Sequence, residues 1–243
     1  MTTLKVNAIE PEGGTTNLTV GLSGQNVVIG GSGGLKANTF KDAGGNTLWT
    51  SDGSGNISSV STQFGGAQVL IQSQTASNSA SLSFTSGITS TYKEYIFEFI
   101  NINPATDEQS FQFQANASGQ SGYNEVISSN HIRVFHQEDN GGTPTIEYWT
   151  AGDQGNGTGY QYLSDTIGNG ADESLAGELH LFNPANTTYV THWYSTTQMY
   201  HRSDRTFQSL AAGYFNVTAA ITNIQFNVPS GNFDGKIKMY GVK

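Results

Sequence analysis

From residue 67 onward the chain reads as about a dozen short runs of β-forming residues, cut at close intervals by turn residues. No segment shows a sustained 3.6-residue apolar period with helix caps. The strongest run is 94–102, where Tyr95, Phe97 and Phe99 are expected on one face and Ile96, Glu98, Ile100 and Ile102 on the other. A strand apolar on nearly both sides belongs in the middle of a sheet or under a second chain. In 110–114, Phe111 and Phe113 alternate with Ser110, Gln112 and Gln114, which are expected to face outwards. Further strands are expected at 68–72, 81–84, 132–135, 146–149, 160–163, 177–182, 189–194, 199–200, 211–215, 224–228 and 236–242. Turn signals such as Asn140-Gly141-Gly142, Asn156-Gly157 and Gly168-Asn169-Gly170 separate them. This spacing predicts an all-β fold, a two-sheet β-sandwich of jelly-roll type, with a lectin-like sandwich of other topology as the nearest competitor.

The first 66 residues differ. They hold 14 of the 30 glycines and only three aromatics, Phe40, Trp49 and Phe64, so the main core is expected beyond them. Two patterns repeat in tandem. The run 17–25 is followed at once by 26–34 in a nine-residue register, and 42–48 is echoed ten residues later by 52–58. A short strand with a glycine turn cannot bury its own apolar face, so such units need stacked copies or other chains. The expected organisation is a Gly-rich β-repeat arm or shaft over 1–66 and a β-sandwich head over 67–243. Short strands are expected at 4–9, 17–20, 26–29, 46–49 and 56–60.

Charged residues make up only 12% of the chain, and the net charge is −9. That balance argues against a nucleic-acid partner, since neutralising phosphates takes clustered Lys and Arg. No apolar run approaches the ~18 residues of a membrane span, and no secretion signal is evident at the amino terminus. Cysteine is absent, which removes disulfides, thiolate metal sites and a cysteine nucleophile.

No hydrolase elbow or zinc-protease helix motif is present, so no enzymatic activity, metal or cofactor is expected. His131 and His136, five apart, point to opposite faces of a regular strand and cannot share a metal. Glu178, His180 and Phe182 share a strand face; a Glu-x-His pair there could hold a metal or a proton relay, and its plainer reading is a surface or subunit-interface pair. Asp172-Glu173 is an acidic pair beside a Gly-Asn-Gly turn, and a solvated loop is its plainest reading. The aromatic groups Tyr148-Trp149, Tyr160-x-Tyr162 and Trp193-Tyr194 stand near turns or polar connections. Exposed, they are candidate receptor or saccharide contacts, because a sugar's C–H face stacks on a ring while its hydroxyls meet nearby amides. Buried, they are core or interface packing.

A short first strand, Gly/Asn repeats, a Ser/Thr-rich neck at 58–66 and a β-sandwich together resemble bacteriophage tail-fibre and head-fibre proteins, those of marine phages in particular. The residues that carry the resemblance are 35–56, 77–88, 92–102, His180-Leu181-Phe182-Asn183-Pro184 and Ala212-Gly213-Tyr214-Phe215-Asn216. The resemblance implies a virion structural protein made in the bacterial cytoplasm, commonly a homotrimer. Residues 1–66 would then contact other virion proteins of the tail or capsid. Leu4, Val6, Val20, Val28, Ile29, Leu48, Trp49 and Ile57 are its candidate anchoring or shaft residues. The sandwich would meet a host-surface glycan or protein. A capsid decoration protein, a carbohydrate-binding module and a depolymerase using Asp172 or Glu178 are the alternatives.

Overall fold

Two turns of the same chemistry organise the first part of the described chain. In the computed structural model residues 39–60 and 67–243 are described. The candidate shaft residues Leu4, Val6, Val20, Val28 and Ile29, and the nine-residue repeat, lie outside them. The chain divides into two compact units, Met1–Phe64 and Gly65–Lys243.

In the first unit β1 (Thr39–Lys41), β2 (Thr47–Ser51) and β3 (Ile57–Val60) form an antiparallel meander. Asp42 Oδ1 accepts from the Asn46 amide at 2.8 Å and Oδ2 from the Asn46 side chain at 2.9 Å. Ten residues on, Asp52 does the same with Asn56, at 3.2 and 2.8 Å. The ten-residue echo in the sequence is thus one Asp–Asn-closed hairpin turn used twice. Glycines at positive φ, Gly45 in the first turn and Gly53 and Gly55 in the second, let the backbone close. On one face of the meander Phe40 stacks on its direct cross-strand partner Trp49, ring centroids 4.0 Å apart, and Trp49 is paired on its other side with Val60.

The second unit carries thirteen antiparallel strands and, among the described residues, no helix. They are β4 (Gln68–Ser79), β5 (Ser81–Phe84), β6 (Glu94–Pro104), β7 (Gln109–Ala117), β8 (Ile127–Gln137), β9 (Thr145–Tyr148), β10 (Gly155–Gly157), β11 (Gln161–Ile167), β12 (Leu175–Phe182), β13 (Thr191–His201), β14 (Arg205–Phe215), β15 (Ile221–Asn227) and β16 (Phe233–Val242). The larger layer runs β4-β16-β6-β12-β13-β14-β8-β9, with β10 on the same edge of β8 as β9. The smaller layer runs β11-β7-β15-β5. One pairing, Ile167 with His201, joins the layers at one side. At the other side Ala80 alone connects β4 to β5. The result is a nearly closed, jelly-roll-like β-sandwich, the all-β class the turn spacing predicts.

Phenylalanine rings lock the layers together. Phe226 of β15 lies 5.3 to 6.3 Å from the rings of Phe84, Phe97, Phe99, Phe111 and Phe113, drawing on both layers. Edge and offset geometries at such distances add to the burial term.

Three expectations are corrected by the register. Ile102 faces the core rather than outwards, because Asn101 takes a positive φ of 51° and the strand bulges. Gly177 and Gly235 flank that bulge on β12 and β16, where a Cβ would stand 2.3 Å from the Thr196 carbonyl and 2.8 Å from the Asn101 carbonyl. Ser110, Gln112 and Gln114 are buried, not outward. Connecting segments cover that face: Gln114 Nε2 donates to the carbonyls of Glu125 and Gly159, both at 2.9 Å, and Asn116 Oδ1 accepts from the Tyr123 amide at 2.7 Å. Finally, 189–194 and 199–200 are one strand, β13. Its polar middle stays in the sheet because Ser195 donates to the Glu178 carbonyl at 2.8 Å and Thr197 to that of Leu163 at 2.6 Å.

Candidate functional site

Alternation along β13 sends Trp193, Ser195, Thr197 and Met199 inwards and His192, Tyr194, Thr196 and Gln198 outwards. The neighbouring registers then build the outer face. Tyr194 is opposite His180 on β12 and Ala212 on β14, and Ala212 is opposite Asn130 on β8. His192 is opposite Tyr214, which is opposite Ser128.

Ala212 is the small residue in this field. Around it lies an open groove of about 550 Å³ walled by Tyr194, Tyr214, His192, Phe182, Asn130 and Ser128. A second groove of about 550 Å³ shares Phe182 and His192 with the first and extends to Asn186, Thr188 and Tyr189. Together they form a track across β8, β14, β13, the end of β12 and the segment before β13.

The Tyr194 ring is held in place. It stacks on His180 with centroids 4.4 Å apart and planes at 12°. His180 Nδ1 lies 2.5 Å from Glu94 Oε1, and Nε2 lies 3.2 Å from Glu178 Oε1 without hydrogen-bond alignment. Burial, with the carboxylates of Glu178 and Glu94 nearby, pushes the Tyr194 hydroxyl above its ordinary pKa. At the far end, Asn186 Oδ1 accepts from the amides of Thr188 and Tyr189 at 2.6 and 2.9 Å, fixing the turn that presents Tyr189, which is 71% exposed.

The six sequence-selected aromatics do not converge. Tyr194 lies in the groove. Tyr148 is on the same outer face, beyond Ile132 and Leu210, and its hydroxyl donates to Asp153 at 2.5 Å. Trp193 is a core residue, 2% exposed, packed edge-on against Phe113 at 5.0 Å, and is therefore not a surface contact. Trp149 is half-buried between His131, Tyr162 and the Arg133 guanidinium, which sits 5.1 Å from its ring. Tyr162 stacks on Trp149, and the Tyr160 hydroxyl donates to Gln225, so both serve the smaller layer. Ala212, Tyr214, His192, Phe182 and Asn130 were missed. Their one sequence signal is the small Ala212-Gly213 pair inside an otherwise aromatic strand end.

The acidic candidates resolve into structural roles. Glu173 closes its turn by accepting from the Gly170 amide at 2.5 Å, and Asp172 is exposed in that turn. Glu178 projects from mid-strand beside His180 and opposite Glu98, whose charge Lys238 meets at 3.2 Å. No group of three or more His, Asp or Glu among the described residues is arranged to hold a metal ion. Leu48 and Trp49 are half-buried in the small meander and Ile57 is exposed.

No family model, curated protein or solved structure matches the chain.

Proposed function

We propose that the chain is a bacteriophage virion protein, a fibre or tail-appendage subunit that attaches to the host surface through its β-sandwich and to the particle through residues 1–66. The observation that carries the reading is the repeated hairpin. One ten-residue unit closes the same Asp–Asn turn twice and yields a three-stranded meander. Its row of Phe40, Trp49 and Val60 has no second layer among the described residues of that unit. Three strands with one apolar row stand at the lower limit of what a sheet needs for independent stability. Sister chains of a homotrimer, or other virion proteins, cover that row in this reading.

Antibodies to the sandwich are expected to decorate intact phage particles in electron micrographs, and label position separates tail from capsid attachment. Absence of the chain from purified particles by mass spectrometry overturns the virion reading. In sedimentation equilibrium the full chain is expected at three times its monomer mass of 25.9 kDa. A stable monomer at micromolar concentration overturns the trimer.

A further inference from the structure

We infer that the double groove beside Ala212 is a binding site for an uncharged oligosaccharide, with Tyr194 and Tyr214 as stacking platforms and Asn130 and His192 as polar contacts. The inference rests on the attachment reading only for where the sugar would come from, not for the site itself.

The shape comes first. Strands in a sheet lie ~4.8 Å apart and residues on one face recur every ~6.8 Å along a strand. With alanine at the centre, the gap between Asn130 and Tyr194 spans two strand spacings, about 10 Å. Along β14, the backbone spacing between Leu210 and Tyr214 is about 14 Å. That is a shallow slot of ring size, not a channel for an extended peptide side chain or an enclosed apolar pocket. The adjoining groove, sharing Phe182 and His192, extends it to Asn186, Thr188 and Tyr189, which suits a chain of rings rather than one.

The chemistry agrees. A pyranose has an apolar C–H face and a rim of hydroxyls, so it needs flat π surfaces beside amides, hydroxyls and imidazoles that both donate and accept. The slot offers phenol rings, Phe182, the Asn130 amide and the His192 imidazole, while the Ser128 hydroxyl in its wall is already engaged, donating to Asn156 Oδ1 at 2.9 Å. No Lys or Arg lines either groove, and Glu94 and Glu178 stand behind Tyr194. Phosphorylated, sulfated or carboxylated ligands would meet no cationic lining side chain and a negative background behind Tyr194; the Lys93 ammonium beside the second groove is engaged with Asn183 Oδ1 at 3.4 Å.

The platform is also organised before any ligand arrives. Tyr194 is stacked on a histidine held at Nδ1 by Glu94, with Glu178 3.2 Å from its other nitrogen, and Tyr189 stands on a turn closed twice by Asn186. Side chains held in place lose little rotamer freedom on binding, which matters for a ligand that offers few strong contacts.

The test uses the full chain and saturation-transfer NMR. The probes are neutral hexoses, N-acetylhexosamines and their short oligomers. At least one oligomer is expected to receive saturation, more strongly than its monosaccharide. Ala212→Trp, substituted at an outward position, fills the slot and should weaken that binding roughly tenfold or more, as should Tyr194→Ala. Tyr148→Ala, on the same face outside the grooves, should leave it within about twofold. A urea midpoint close to the parent shows that Ala212→Trp is folded. If it is not, Asn130→Ala takes its place, with loss of binding expected. Three results overturn the inference: no saccharide in the panel binds, binding survives both Ala212→Trp and Tyr194→Ala, or Ala212→Trp dissociates an oligomer, which makes the groove a self-interface. Particle labelling without sugar binding removes the groove and leaves the virion reading. Sugar binding by a chain absent from particles does the reverse.

Discussion

Acidification should destabilise this protein through its buried histidines, and His131 contributes an identifiable share. The imidazole is fully buried at the edge of the sandwich, edge-on to Trp149 at 4.8 Å. Neither ring nitrogen makes a well-aligned hydrogen bond. Burial pushes its pKa down to about 4, against an opposing pull from the Gly152 carbonyl and Asp165, while Arg133 reinforces the drop. The unfolded imidazole takes a proton near pH 6.5, the folded one only near 4. The stabilisation is therefore complete above the unfolded value and is lost as the pH falls from about 6.5 towards 4. A separation of about 2.5 units corresponds to a ceiling of about 3 kcal/mol, of which about 2 kcal/mol is lost between pH 7 and pH 5. Urea midpoints at the two pH values, read by tryptophan fluorescence and circular dichroism, measure that loss. In His131→Leu the drop should be smaller by about 2 kcal/mol. His201, also pushed down by burial, and the carboxylates act equally in both proteins, so the difference isolates His131. Equal losses in parent and variant would refute the argument.

Phe226→Ala removes the ring around which five others pack and should cost about 3–5 kcal/mol in chemical denaturation. A loss under about 1 kcal/mol would mean the layers do not meet there. Gly213→Ala places a Cβ 2.4 Å from the Ser128 carbonyl and 2.8 Å from Trp193, and should cost about 1–3 kcal/mol. The Asp42 carboxyl is held below its ordinary pKa by the side-chain and backbone donors of Asn46. Its turn should therefore be closed at neutral pH and loosen as the pH falls through that lowered value, and Asp42→Ala should raise amide exchange in β1 and β2 at pH 7. Unchanged exchange would show that the glycines alone close the turn.

The fold class was legible because period-two alternation and turn residues report directly on strands. Tyr95, Phe97 and Phe99 are buried as their spacing predicts, and His131 and His136 part to opposite faces. What failed has a common cause. Gln112 and Gln114 look outward by polarity, yet both are buried, and Gln114 lies under connecting segments whose carbonyls it satisfies, contacts set by chain geometry over 11 and 45 residues. Ile102 was misassigned because a bulge adds one residue to the count, and Asn101 does not announce it. The Glu178–His180 neighbourhood was readable from one strand, but Glu94, 86 residues away, completes it through a register that local sequence does not encode. Trp193 and Tyr194 look alike in sequence, and only the side each takes separates core from surface.

That last pair points to the adjacent dipeptide Ala212-Gly213. Gly213 is opposite Trp193 and faces inwards, where a Cβ would strike the indole and the Ser128 carbonyl. Ala212 is opposite Tyr194 and faces outwards, where a larger side chain would fill the slot between two tyrosines. Neighbouring positions on one strand are thus small for unrelated reasons: one makes room for a core indole, the other leaves a groove open. Because successive residues address opposite faces, the two demands can be varied independently. Gly213→Ala should chiefly cost stability, reaching the groove only through the Ser128 backbone it presses on, and Ala212→Trp should block the groove and spare stability. If both substitutions moved both properties together, the inward and outward assignment of β14 would be wrong, and with it the placement of the site.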